Sequence, residues 1–125
     1  MRLLLDSHTY LWWLDDHPSL SAAARATVAD PANAVLVSAA TIWEIEIKRA
    51  LGRLDAGDAD LVDEIESNRF MELPVQGRHA AAAARLPRHH DDPFDRLLIA
   101  QAQLEGLVCV TRDQAFELYG IATLW

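Results

Sequence analysis

Short runs of apolar residues, most of them followed by a polar or turn-forming residue, constrain the fold of this chain more than any other feature of its sequence. Three runs are continuous, at residues 3–5, 34–37 and 107–110, and weaker ones occupy residues 71–73 and 121–124. The continuous runs lack the apolar–polar alternation of a strand that has one face in water. They are typical of strands covered on both faces, and therefore of a parallel sheet between two layers of helices.

Helical patterns separate these runs. We predict helices over residues 21–30, 39–51, 60–69, 77–86 and 93–105. The last has the clearest boundaries, because Asp92 can cap its N-terminus, Pro93 takes the first helical position and Gly106 follows its end. Strand–helix alternation over residues 1–125 predicts one three-layer α/β/α domain, with a central, mostly parallel sheet of four to five strands.

Composition narrows the class of protein. Hydrophobic residues make up 51% of the chain, which excludes a disordered acidic tail. The single cysteine, Cys109, excludes an internal disulfide and a zinc site built from thiolates, and it favours a reducing, cytoplasmic location. No apolar run approaches the roughly 18 residues of a membrane span, so we expect no membrane partner. The net charge of −8 argues at first sight against nucleic acid.

Carboxylates follow the predicted strands, where open parallel sheets bind their ligands. Asp6 directly follows the first run and Asp113 comes soon after the fourth. Each could be a residue of a binding site or only the N-cap of a short helix, and the sequence alone does not distinguish these two roles. Asp95 lies in the first turn of the helix at residues 93–105, where the helix dipole favours an acid. It also heads an apolar stripe, so we expect it to point inward over the sheet.

Glu44 is the fourth candidate acid. It lies in the predicted helix at residues 39–51, where an exposed ion pair with Lys48 would explain it equally well. A helical wheel places Glu44 at the edge of an inward stripe, from which it can reach the end of the sheet. The predicted members of that stripe are Trp43, Ile47, Ala50 and Leu51.

The four acids are more informative as a set than singly. Four carboxylates at one end of one sheet repel each other unless a cation neutralises them. Their ligand atoms are all oxygen, which favours Mg²⁺ or Mn²⁺ over zinc. A divalent cation held by carboxylates activates water and stabilises in-line displacement at phosphorus. The residues therefore predict metal-dependent phosphoryl or phosphodiester chemistry.

The sequence resembles the PIN-domain ribonucleases, specifically toxins of the VapBC type, over essentially its whole length. The resemblance rests on L-L-L-D-S-H at residues 3–8, S-A-A-T-I-W-E-I-E-I-K at 38–48, D-P-F-D-R-L-L-I-A-Q-A at 92–102, and T-R-D at 111–113 with Phe116. The third block is the most specific. Ser7 departs from the family, in which threonine commonly follows the first aspartate, but either hydroxyl can serve.

The resemblance implies functional roles for particular residues. Asp6 and Asp95 would be the principal Mg²⁺ or Mn²⁺ ligands, and Glu44 and Asp113 would complete the site directly or through water. The family implies RNA hydrolysis that leaves a 5′-phosphate and a 3′-hydroxyl, an antitoxin encoded beside the toxin, and a homodimer. Around the four acids, Ser38 and Thr111 are expected to support the carboxylates or the water, and Arg96 and Arg112 to bind phosphate.

Other residues have more than one interpretation. For His90 we favour a solvated loop over a metal ligand, although its ring could approach the site, and His8 could line the cleft. The helix at residues 39–51 is apolar nearly all round, which indicates a second partner. We predict that Ile42 and Ile45, with part of Trp12 and Trp13, form a dimer or antitoxin surface.

Three other classes of protein share part of this sequence pattern. A phosphatase or phosphotransferase with Asp6 as nucleophile needs a second aspartate where His8 stands. A receiver domain needs an acidic pair after the first strand and a lysine after the last, and neither is found. A catalytically silent interaction domain would not require four acids. Without those acids the net charge is −4, which would suit a basic antitoxin segment entering an acidic cleft.

Overall fold

A computed structural model describes residues 1–55 and 57–125 as a five-stranded sheet between two layers of helices. All neighbouring strands are parallel, in the order β3-β2-β1-β4-β5. The strands are β1 (Arg2–Leu5), β2 (Ala34–Ser38), β3 (Met71–Leu73), β4 (Val108–Val110) and β5 (Thr123–Leu124). The helices are α1 (Ser7–Leu14), α2 (Ala22–Ala29), α3 (Ala39–Ala50), α4 (Leu61–Ser67), α5 (Gly77–Arg85), α6 (Pro93–Glu105) and a 3₁₀ helix (Gln114–Tyr119). The predicted α/β/α class is confirmed.

Strand β1 lies at the centre of the sheet and is buried on both faces. Leu3 and Leu5 point into a core formed with α1 to α4, whereas Leu4 points into a second core formed with α6. All three side chains are fully buried. Burial of an aliphatic side chain of this size contributes roughly 1.5–3 kcal/mol. The continuous apolar run thus corresponds to a strand covered on both sides.

The boundaries of α6 follow the sequence signals closely. Asp92 Oδ1 accepts hydrogen bonds from the backbone N–H groups of Phe94 (2.8 Å) and Asp95 (3.3 Å). Pro93 begins the helix, and Gly106 ends it in the left-handed conformation with φ 67°. These caps satisfy backbone groups that a helix end would otherwise leave unpaired, and they fix Asp95 in the first turn.

Helix α3 is rotated relative to its predicted orientation. Trp43 and Leu51, predicted to point inward, are 63% and 60% exposed. Ile45, predicted to be part of a partner surface, is 1% exposed and packs in the core, and Ile42 packs partly against the same core. The side chains that α3 buries are those of Ala40, Thr41, Glu44 and Ile45. The sequence of a helix that is apolar nearly all round does not indicate which face is buried. The packing of α3 against α1 and α6 therefore determines its rotation.

Within the part of the chain that the structure describes, no helix combines the length and the apolar character needed to cross a membrane.

Candidate active site

The candidate site lies at the carboxyl ends of β1 and β4, two adjacent strands at the centre of the sheet. The chain builds the sheet outward from β1 in one direction through β2 and β3, and in the other through β4 and β5. The gap between β1 and β4 is therefore the topological switch point, where open α/β sheets bind ligands. Asp6 follows β1 and Asp113 follows β4, so the topology places these two acids at the same gap.

Asp6 is nearly fully buried, at 6% exposed, and both of its carboxylate oxygens accept hydrogen bonds. Oδ1 accepts from the backbone N–H of Thr9 (2.9 Å) and thereby caps α1. Oδ2 accepts from the hydroxyl of Thr111 (2.6 Å). The hydroxyl after β4 thus fixes the carboxylate after β1. Ser38, the other expected supporting residue, instead caps α3 by accepting from Ala40 N–H (3.1 Å).

Glu44 is buried on α3 and is held by a hydroxyl and a cation. Ser7 donates to its Oε1 (2.5 Å), and Lys48 donates to its Oε2 (2.7 Å). The hydrogen bond to Glu44 raises the pKa of Lys48. The predicted ion pair with Lys48 and the predicted approach to the end of the sheet therefore coexist, because Ser7 immediately follows Asp6.

His90 brings Asp95 and Asp113 together. Its Nε2 lies 2.9 Å from Asp95 Oδ2 and 3.2 Å from Asp113 Oδ2. The other oxygen of Asp113 accepts from Ala115 N–H (2.9 Å) and caps the 3₁₀ helix. Ligand atoms of these three residues all lie within 4.8 Å of one another, which is close enough to share one cation.

The hydrogen bonds of His90 indicate its tautomer. Its Nδ1 accepts the backbone N–H of Asp92 (3.2 Å), and an amide N–H can only donate. In the neutral ring the proton therefore resides on Nε2, where it is donated to Asp95 and Asp113. The ring also lies edge-on to Phe116, and the His90 N–H donates to the Tyr119 hydroxyl (2.8 Å). His90 is thus a fixed donor in the site, a role that the sequence interpretation as a solvated loop missed.

The electrostatics of Asp95 show that several carboxylates share one region. Burial, together with the charges of Asp92, Asp6 and Glu44, raises the pKa of Asp95 to about 7, although His90 lowers it. Its side chain is 21% exposed. A carboxyl in this environment gains its charge easily only when a cation is near. The donor set, mostly carboxylate oxygens, fits a hard divalent cation.

The two arginines that were expected to bind phosphate have different environments. The Arg96 guanidinium donates to four backbone carbonyls at distances of 2.9–3.2 Å. Those carbonyls belong to Ala83, Leu86, Pro87 and His90. Arg96 therefore ties the end of α5 and the following loop to α6, and this geometry does not favour phosphate binding. The Arg112 guanidinium lies over the Trp12 ring, 4.7 Å from its centre.

A cleft of about 240 Å³ opens beside these residues. It is lined by Asp6, His8, Trp12, Arg112 and Asp113. Carboxylates, a cation and aromatic rings thus face the same space at the switch point. The prediction that His8 could line the cleft agrees with this placement.

The fold and the site define a class of protein, the parallel α/β domains that carry an acidic cluster at the switch point of the sheet. Comparison with known proteins identifies the family. Residues 3–121 match the family model of the PIN domain. The chain belongs to the PIN-domain family. No curated protein matches the sequence significantly.

Solved structures with the same fold are similar over nearly the whole chain. VapBC2 from Rickettsia felis, bound to a DNA fragment from its promoter, has a TM-score of 0.75 at 14% identity, with 99% of this chain and 98% of that chain covered. FitAcB from Neisseria gonorrhoeae has a TM-score of 0.58 at 20% identity, with 98% and 96% covered. PAE2754 from Pyrobaculum aerophilum has a TM-score of 0.53 at 20% identity, with 98% and 89% covered. At these identities the likeness describes the fold.

Proposed function

We propose that this protein is a metal-dependent endoribonuclease and the toxin of a VapBC-like toxin–antitoxin pair. The observation that carries the proposal is the convergence of Asp6, Asp95 and Asp113 on the switch point of a PIN-family sheet. Family membership supports nuclease chemistry in general. The restriction to RNA and the use of Mg²⁺ or Mn²⁺ belong to the proposal.

Asp6, Asp95 and Asp113 would hold the cation, which when bound supplies an activated water and neutralises charge on the phosphate. Thr111 and Thr9 fix the Asp6 carboxylate, and the N-cap bond to Ala115 fixes that of Asp113. The position of Asp95 follows from the cap of α6. These restraints orient the acids before substrate arrives, which lowers the cost of organising the site.

Glu44 and His90 have supporting roles in this proposal. The Lys48 ammonium already neutralises the charge of Glu44, unlike that of Asp6, so Glu44 acts through Ser7 or a water more readily than as a principal ligand. His90 donates from Nε2 to two site carboxylates, which keeps them side by side before a cation binds. Arg112, exposed in the cleft, is the cation best placed to meet a phosphate.

A phosphotransferase that uses Asp6 as nucleophile fits the residues around the site less well. Such an enzyme needs a second aspartate two residues after the nucleophile, and His8 stands at that position. A catalytically silent interaction domain gives no reason for two acids and a histidine within reach of one cation. The ribonuclease therefore accounts for more of the site.

The proposed partners are an antitoxin and a second copy of the chain. The similarity to VapBC2 and to FitAcB, which are structures of toxin–antitoxin complexes, supports an antitoxin partner. A basic antitoxin segment complements the net charge of −8. The single cysteine, Cys109, is a buried free thiol, which agrees with the proposed cytoplasmic location.

The test is cleavage of labelled RNAs by the purified protein with Mg²⁺, with Mn²⁺ and with EDTA. Cleavage is expected only with metal, with 5′-phosphate ends, and the variants Asp6→Asn and Asp95→Asn are expected to lose at least about a hundredfold of the rate. Asp91→Asn is the matched control, because Asp91 is an exposed acid outside the site. Cleavage in EDTA, or full activity of Asp6→Asn, would contradict the proposal.

A further inference from the structure

The loop between α5 and α6 is held from two sides by side chains of neighbouring elements. At the end of the 3₁₀ helix, the Tyr119 hydroxyl accepts from the backbone N–H groups of His89 (3.0 Å) and His90 (2.8 Å). The same hydroxyl donates to the Pro87 carbonyl (2.8 Å). From α6, the Arg96 guanidinium donates to the carbonyls of Pro87 (2.9 Å) and His90 (3.2 Å). A hydroxyl has one donor proton and two acceptor lone pairs, so this loop takes the full hydrogen-bonding capacity of Tyr119.

His90 places this loop in contact with the candidate site. Its backbone N–H and C=O are bound by Tyr119 and Arg96, and its Nδ1 accepts a backbone N–H. The remaining ring nitrogen, Nε2, lies 2.9 Å from Asp95 Oδ2 and 3.2 Å from Asp113 Oδ2. Because its backbone is bound at both polar groups, His90 has little freedom to withdraw its ring from the two acids.

The two elements that hold the loop also carry the two acids. Asp95 and Arg96 are adjacent residues of α6, and Asp113 caps the 3₁₀ helix that Tyr119 ends. The loop therefore joins α6 to the 3₁₀ helix beside the acids, and His90 donates to one acid from each element. Two carboxylates repel each other, so a donor held between them keeps them closer together than their charges alone would allow.

We propose that Tyr119 is a positioning residue of the cation site. By holding the loop, its hydroxyl keeps the His90 ring against Asp95 and Asp113, and the two carboxylates stay at a separation that one divalent cation can bridge. The ligand atoms of these three residues lie within 4.8 Å of one another. A site whose ligands are already in place binds with a smaller loss of conformational freedom than one that must order them. This role rests on the proposed function for the presence of a cation.

The experiment is a calorimetric titration of the full chain with Mn²⁺. Tyr119→Phe removes the hydroxyl and keeps the ring, which packs against the second core. It is expected to weaken Mn²⁺ binding about tenfold, because outer groups that orient metal ligands commonly contribute that much to the affinity. Tyr10→Phe is the matched control, since the Tyr10 hydroxyl donates to the Leu61 carbonyl (2.7 Å) in the first core. Both variants are expected to lose stability, but only Tyr119→Phe is expected to lose affinity for Mn²⁺.

A double-mutant cycle with His90 tests whether Tyr119 acts through that ring. His90→Phe removes the N–H that meets the two acids and keeps a ring beside Phe116. It is also expected to weaken Mn²⁺ binding, and adding Tyr119→Phe to it is expected to cause no further loss. A role confined to the packing of the loop would lower the Tm and leave the Mn²⁺ affinity unchanged in either background.

The metal-free protein gives a second measurement, which needs no substitution of His90. In protein that contains ¹⁵N-labelled histidine, NMR follows the hydrogen exchange of the His90 Nε2–H. Tyr119→Phe is expected to accelerate this exchange at least about tenfold, because the ring is no longer held at the acids. Tyr10→Phe is expected to leave the exchange unchanged.

The positioning role is refuted if Tyr119→Phe binds Mn²⁺ like Tyr10→Phe, if it leaves the exchange at His90 unchanged, or if it weakens binding equally in the His90→Phe background. These results are independent of the cleavage assay. If the unmutated protein cuts RNA but Tyr119→Phe binds Mn²⁺ normally, the positioning role is wrong and the proposed function stands. If Tyr119→Phe weakens Mn²⁺ binding through His90 but RNA is never cut with Mg²⁺ or Mn²⁺, the positioning role stands and the proposed function fails.

Discussion

Three residues of the candidate site each make a local structural contact through one atom and a contact with another part of the site through a second atom. Asp113 caps the 3₁₀ helix with Oδ1 and meets His90 with Oδ2. Asp6 caps α1 with Oδ1 and accepts from Thr111 with Oδ2. His90 accepts from the Asp92 N–H with Nδ1 and donates to the acids with Nε2. The helix-cap role of Asp6 and Asp113 therefore does not exclude the proposed role in the site, because each carboxylate oxygen has two lone pairs and one hydrogen bond uses only one of them.

Asp95 permits a prediction about pH and stability. Its folded-state pKa of about 7 is above its ordinary value of 3.8 because of burial and neighbouring acids. The unfolded chain therefore loses this proton first, and metal-free stability falls as the pH rises from about 4 to about 7. Asp95→Asn removes the effect, so its Tm in EDTA is expected to exceed that of the unmutated protein by about 5 °C or more near pH 8, and by less near pH 5.

The measurement is thermal unfolding in EDTA across that pH range, followed by addition of Mn²⁺. Mn²⁺ is expected to raise the Tm of the unmutated protein more than that of Asp95→Asn, since the variant has lost a ligand. Asp91→Asn, at an exposed acid, serves as the control. An equal Tm for Asp95→Asn and the unmutated protein near pH 8 would contradict the raised pKa of Asp95 in the folded state.

At the scale of elements, α6 and α3 show what sequence patterns can and cannot fix. The start, end and buried face of α6 follow from Asp92, Pro93, Gly106 and its apolar stripe, because each is a local signal. The length of α3 also follows from local signals in the sequence, but its rotation about its own axis does not. Its buried Glu44 depends on Ser7 and on the end of β1, which are distant in sequence. The site geometry was therefore less predictable from sequence than the helices that carry it.

The contact between α5 and α6 gives a prediction at this scale. The Arg96 guanidinium is the donor to four carbonyls at the end of α5 and in the following loop. Arg96→Gln leaves some of these carbonyls without a partner, and we expect a loss of about 2 kcal/mol in the free energy of unfolding. Lysine is expected to restore little of it, because an ammonium group lacks the planar fork.

Urea unfolding of Arg96→Gln, Arg96→Lys and the control Arg85→Gln measures these losses. If Arg96 instead serves mainly to bind phosphate, Arg96→Gln will keep its stability and lose RNA affinity. The two roles thus give opposite results in the unfolding and binding assays.

At the scale of the whole molecule, the exposed Trp43 of α3 is a better candidate for a partner surface than the predicted Ile45, which is buried. Trp43 is 63% exposed and contacts Phe94 edge-on, with ring centres 5.4 Å apart, close to the first turn of α6. A large indole in water is unfavourable, and its burial in a symmetric interface removes that cost. We predict that the proposed homodimer forms through Trp43.

The measurement is the mass in solution by light scattering. The unmutated protein is expected to be a dimer and Trp43→Ser a monomer of unchanged Tm, because the side chain contributes little to the core. Leu118→Ser, which alters an equally exposed residue on the 3₁₀ helix, is expected to remain a dimer. A monomeric unmutated protein, or a dimeric Trp43→Ser, would contradict the prediction.

The distribution of the negative charge over the molecule also belongs to this scale. The net charge of −8, counted over the chain, argues against nucleic acid, but part of this charge belongs to carboxylates that converge at the switch point. Charge counted over the whole chain does not show such clustering, whereas the local field does. In the proposed function, the acids around this cleft would attract a divalent cation, and Arg112, which also lines the cleft, would meet the phosphate.

The sequence by itself determined the α/β class, the strands buried on both faces, the helix caps and the order of the acids. These follow from local periodicity and capping, which act over a few residues. Only the tertiary structure decided the rotation of α3, the donor role of His90 and the different environments of Arg96 and Arg112. Each of those depends on residues far apart in the chain, which the packing of helices on the sheet brings within hydrogen-bond distance.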